Sequence, residues 1–159
     1  MLRTTGLAAI SLLVIVGRAA AQEHGEENEK KITRAEIPAA VEHTVAAQTR
    51  GATIKGFAKE EEDGKTAYEV SMTVHGHSRD VLISPAGLVL EVEEEVVLDS
   101  LPPVIKAGLV REANGGRIHT VETLTKGGVL VAYEAHVTTN SHRWEVQVGP
   151  DGKKLDHEE

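Results

Sequence analysis

Residues Ala67–Val96, AYEVSMTVHGHSRDVLISPAGLVLEVEEEV, return in looser form near the C-terminus as Ala132–Glu159, AYEAHVTTNSHRWEVQVGPDGKKLDHEE. Upstream, Ile37, Val41 and Val45 repeat as Leu101, Ile105 and Leu109 at a constant offset of 64, and Gly51 repeats as Gly115. One inserted residue then moves the offset to 65. Tyr68 and Glu69 match Tyr133 and Glu134, His77 matches His142, Val81 and Ile83 match Val146 and Val148, and Pro85, Gly87 and Leu90 match Pro150, Gly152 and Leu155. Matches spread over a helical stripe, strand alternation and turns predict a tandem duplication with its boundary near Val97–Ser100.

The hydrophobic period dictates the unit. Thr33 and Glu36 are spaced as a capping box, and Ile37, Val41, Thr44, Val45 and Gln48 then lie on one helical face that ends at Gly51. Pro38 is tolerated because a first-turn residue has no intrahelical donor to lose. Past Gly51 the period falls to two. Thr53–Glu60 reads as a strand, Asp63-Gly64 as a hairpin turn, and Thr66–Val74 alternates Tyr68, Val70, Met72 and Val74 against Glu69, Ser71 and Thr73. HGHS makes the next turn; Arg79, Val81 and Ile83 continue the buried side, and SPAG leads into Leu88–Glu95. In the second unit Asp99 or Ser100 is placed to cap a helix that carries Pro102 and Pro103 in its first turn and stops at Asn114–Gly116. The expected class is α+β, two tandem repeats, each a helix packed on a four-stranded antiparallel sheet with one wet face.

The chain has 159 residues, 40 % of them hydrophobic but only 3 % aromatic, so the core must be aliphatic. At the N-terminus Arg3 precedes an apolar run, Leu7–Val16, and the small residues Ala19, Ala20 and Ala21, which is the pattern of a cleavable secretory signal. Ten apolar residues are too few to span a bilayer of roughly 30 Å. The expected divisions are a signal peptide at 1–21, a disordered acidic linker at 22–32, and repeats at 33–97 and 98–159. The expected location is periplasmic or secreted, with no membrane span after cleavage.

There is no cysteine, so disulfides play no part although an exported protein could use them. Cleavage removes Arg3 and Arg18 and no acid, leaving a formal charge of −10. That balance argues against nucleic acid and anionic lipid, whose phosphates require clustered Lys and Arg.

GKTAYEV at Gly64–Val70 and PAGLVLEVEEE at Pro85–Glu95 resemble PepSY-like domains, modules of the bacterial cell envelope. AYEAHV and GPDGKKLDHEE keep the skeleton in the second copy without the apolar last strand. The resemblance covers roughly Thr33–Glu159. It implies a helix on an antiparallel sheet, similar to the repeat of the β-lactamase-inhibitor proteins, and a role in binding or restraining peptidases or other envelope proteins.

Site chemistry is sparse. His75 and His77 flank a turn with no third ligand at a telling distance, and there is no HExxH, so no metal site is expected. His136 points to the polar side with Glu134 and Thr138, but GxSxG and a thiol nucleophile are both missing; no catalytic residue and no cofactor are expected. The acidic runs Lys59–Asp63 and Glu91–Glu95 lack calcium-loop spacing and read as solvated strand ends that oppose edge-to-edge aggregation. Trp144, in phase with Val146 and Val148, reads as core, as do Tyr68 and Tyr133.

The expected function is a non-enzymatic, exported protein-binding module with a protein partner in the cell envelope, a peptidase among the candidates. Its partner surface is the polar sheet face: Glu69, Ser71 and Thr73 in the first copy and Glu134, His136, Thr138, Arg143 and Glu145 in the second. The alternatives are a divalent-cation-binding or sensing protein that uses carboxylates and histidines, and a purely structural envelope component.

Overall fold

The computed structural model describes residues 29–159 apart from Asp63, Ser141 and Glu158, so the expected signal peptide and the first residues of the linker lie outside the described residues. The chain forms one eight-stranded sheet in sequence order, every neighbouring pair antiparallel. The strands are β1 (Glu29–Ile32), β2 (Thr53–Glu62), β3 (Lys65–Val74), β4 (His77–Ile83), β5 (Val89–Glu95), β6 (Arg117–Lys126), β7 (Val129–Thr139) and β8 (His142–Val148). Helix α1 (Ala39–Gln48) lies between β1 and β2, and α2 (Pro103–Glu112) between β5 and β6.

This corrects the expected pair of four-stranded, helix-covered repeats. β5 pairs with β6 from Glu91↔Lys126 to Glu95↔Glu122, so there are not two sheets but one, and the fold is mostly β. Pairing satisfies a row of backbone groups that β5 would otherwise leave open at a sheet edge. Among the described residues the second half also lacks the fourth strand expected at Leu155: only an isolated bridge, Val148↔Lys154, is present there, in a segment of charged and polar residues. Glu29–Ile32, assigned above to the disordered linker, instead forms β1 on the edge of β2.

Both helices lie on the same side of the sheet. Val41 and Val45 of α1 pack with Val70, Met72, Val81 and Ile83. Ile105 and Leu109 of α2 pack with Val121, Ala135, Val137 and Val148. Tyr68 lies against the first cluster and Tyr133 and Trp144 against the second, the core side expected for each. The capping box at Thr33 and Glu36 is present, but it closes a single 3-10 turn, Arg34–Glu36; Pro38 then resets the chain before α1. A second 3-10 turn, Leu98–Ser100, precedes α2, so Asp99 and Ser100 lie before the helix rather than capping it.

Tight two-residue turns keep consecutive strands adjacent. His75 and Gly76 both take positive φ, 53° and 93°, as do Gly127 and Gly128 at 56° and 81°, the combination that suits the twist of a hairpin.

Candidate functional site

The side of the sheet without helices carries the charge. Antiparallel partners share a face, so the pairs Glu69↔Leu82, Ser71↔Asp80, Asp80↔Glu93, Glu95↔Glu122, Glu122↔Glu134 and His136↔Glu145 set one continuous row of polar side chains across β3 to β8. Near its centre Glu60, Glu69, Asp80, Leu82, Glu91 and Glu93 line one depression.

Crowding leaves these carboxylates short of counter-charge. Burial, reinforced by Glu134, Glu122, Glu91 and Asp80, pushes Glu93 up to about 9. Burial and then the Glu69 charge raise Glu60 to about 7 and Asp80 to about 6. Glu134 is raised by burial to about 6, although Gln147 donates to its Oε2 at 2.7 Å. Each shift has the sign expected when removal from water and like charges disfavour the ionised form.

A compact cluster stands at the β6–β8 end. His136 Nε2 donates to Glu122 Oε2 at 3.0 Å and lies 3.6 Å from Glu134 Oε1, while its Nδ1 is 3.1 Å from Glu145 Oε1. Hydrogen bonds to Glu122 and Glu145 raise the imidazole to about 10, so it is an imidazolium at neutral pH. The same bond holds Glu122 below the usual carboxylate range, and Ser78 Oγ donates to its other oxygen at 3.0 Å. Two carboxylates that are mostly buried thus share one cation.

All eight partner-surface candidates lie on this face. Glu134, His136 and Glu145 come together, and Ser71 Oγ donates to Glu69 Oε1 at 2.7 Å. Thr73, Thr138 and Arg143 stand apart from both groups; Thr138 instead meets His119. His75 and His77 occupy an exposed turn, and His142 stacks on Trp144. Glu122 and Asp80 were absent from the expected partner surface, and Glu60 and Glu93 were expected only as members of the solvated acidic runs. Glu122 was obscured by an irregularity between Ile118 and Thr120 that shifts the strand's alternation. The reading of Glu91–Glu95 as edge protection is corrected, since β5 is an interior strand.

No family model and no curated protein matches the chain. Solved structures match it clearly. A DUF2874 family protein from Bacteroides ovatus aligns with a TM-score of 0.58 at 19% identity, over 75% of this chain and 84% of its own. A BLIP-like protein from Bacteroides fragilis aligns at 0.55 and 18%, over 74% and 83%. The chain has a BLIP-like fold. A Bacteroides eggerthii protein assigned to the periplasm aligns with a TM-score of 0.60 at 16% identity, over 74% of this chain and 85% of its own. Its location agrees with the export expected from the N-terminus, and no helix among the described residues is long and apolar enough to cross a membrane. At these identities the likeness fixes the BLIP-like fold and leaves function to the site.

Proposed function

We propose that the protein is an exported, non-enzymatic binding module that docks a basic protein surface on its helix-free sheet face. The observation that carries this reading is the depression lined by Glu60, Glu69, Asp80, Glu91 and Glu93, in which five carboxylates have few cations of their own. Lys126 reaches Glu91 at 3.5 Å, and His136 serves the far end of the face. Lys and Arg side chains of a partner would supply the missing charge and allow the carboxylates to ionise. Electrostatic complementarity of this kind raises association rate and selectivity. The PepSY-like motifs and the periplasmic neighbour support an envelope partner, and an enzyme restrained by docking is one that fits.

The test uses the purified protein as bait in envelope extract, with and without chelator, followed by quantitative mass spectrometry. The expected result is a basic protein that is retained in chelator, released by salt, and lost from the double variant Glu69→Lys/Glu91→Lys. Retention of the same partner by the double variant would remove the face from consideration. Capture that disappears with chelator would favour the cation-dependent alternative.

A further inference from the structure

We propose that Glu122, Glu134 and His136 form a binding site for one divalent transition-metal ion of the zinc type. This goes beyond partner docking and stands on residues outside the acidic depression. One ligand atom from each lies within 4.8 Å of the others. The spacings from His136 Nε2, 3.0 Å to Glu122 Oε2 and 3.6 Å to Glu134 Oε1, bracket the edge of about 3.4 Å that a tetrahedron with zinc–ligand bonds of about 2.0–2.1 Å requires. Three ligand atoms converging from adjacent strands leave a fourth position for solvent.

The surroundings of the three ligands supply an independent argument. Metal-bound histidines donate the other ring nitrogen to a carboxylate, and bound carboxylates are themselves held by hydrogen bonds. Here Nδ1 of His136 meets Glu145 Oε1, Ser78 Oγ donates to Glu122 Oε1, and Gln147 Nε2 donates to Glu134 Oε2. Each outer partner engages the atom that would not face the ion, so Nε2, Oε2 of Glu122 and Oε1 of Glu134 are left directed at one another.

The donor set also selects the ion. An imidazole with two carboxylates suits zinc and its neighbours, whereas calcium takes six to eight oxygen ligands. His136 is faced by Glu122 from β6, by Glu145 from β8 and by Glu134 on its own strand.

The test is isothermal titration of the metal-free protein, expressed as the full chain, with zinc chloride at pH 7.5. The expected result is one zinc per chain. Glu122→Gln and His136→Gln should each weaken binding by more than 10-fold. Glu145→Gln, which alters only the outer partner, should weaken it about 10-fold. His77→Gln and His142→Gln should leave it unchanged. Cobalt in place of zinc should give the intense visible bands of a four-coordinate site. No stoichiometric zinc binding, or binding that survives His136→Gln, would overturn the proposal. If His136→Gln loses its fold by circular dichroism, Glu145→Gln decides, and unchanged affinity there overturns it.

Discussion

Glu95 and Glu122 stand directly opposite each other across the β5–β6 seam, and Ser78 on β4 is bonded to both. Its amide donates to Glu95 Oε2 at 2.8 Å and its hydroxyl to Glu122 Oε1 at 3.0 Å. Two like charges in register cost stability. The shared donor offsets that cost at the joint between the two halves of the sheet.

The seam predicts how the protein unfolds. A continuous ladder through β5 and β6 couples both cores, so denaturation should be a single transition, with Trp144 fluorescence reporting the α2 half and far-UV circular dichroism the whole. Ser78→Ala should lower stability by about 1–2 kcal/mol, because it leaves Glu122 without one donor. Separate transitions for the two signals would contradict the coupling.

The acidic face predicts an unusual pH dependence. Glu60, Asp80, Glu93 and Glu134 all have native values above those of the unfolded chain, so the native state holds more protons. Stability must therefore fall as pH rises from about 4.5 towards about 9. His136, raised from 6.5 to about 10, acts in the same direction: its contribution is full below 6.5 and is lost through 10. Glu122 opposes both, since its contribution is present above its ordinary value of 4.5 and is lost as pH falls through its lowered native value. Between pH 6 and 9 the raised groups win, and Tm should decline. Glu93→Gln removes the largest of them and should raise stability at pH 8 by about 1 kcal/mol or more. Thermal scans of both proteins from pH 5 to 9 check the slope and its flattening.

Two helix-to-turn contacts predict which glycines are irreplaceable. A Cβ on Gly108 of α2 would lie 2.3 Å from the carbonyl oxygen of Gly152, and one on Gly87 would lie 2.6 Å from the carbonyl of Ala40 in α1. Helix propensity favours Gly108→Ala by about 1 kcal/mol, but the clash is with backbone and overpacking of this kind costs about 1–3 kcal/mol. The net effect should be destabilising, whereas Gly56→Ala, which meets nothing within 4 Å, should be neutral or slightly stabilising. Denaturant midpoints of the two variants compare these terms directly.

Much of the secondary structure was legible. Val41 and Val45 fell on the buried side of α1, as their helical spacing required, and Ile105 and Leu109 did so in α2. Alternation through Val70 and Met72 assigned the core side of β3, which by exclusion put Glu69, Ser71 and Thr73 on the polar side. Glu93 was not legible as a site residue, because EVEEE reads alike on an exposed edge and in a sheet interior. Only the flanking strands β4 and β6 give it Asp80 and Leu124 as neighbours.

Local order is thus a property of the sequence itself: apolar period, glycine turns and prolines fix where helices and strands begin, through contacts among residues close in the chain. Tertiary structure decided what those elements join. Whether β5 ends a unit or pairs with β6 depends on backbone hydrogen bonds, which carry no side-chain signature. That pairing turned two expected sheets into one BLIP-like sheet, raised the charge density of its open face, and brought Ser78 and Glu122, 44 residues apart, into contact. The Glu122, Glu134 and His136 cluster arises in the same way, from the register of neighbouring strands.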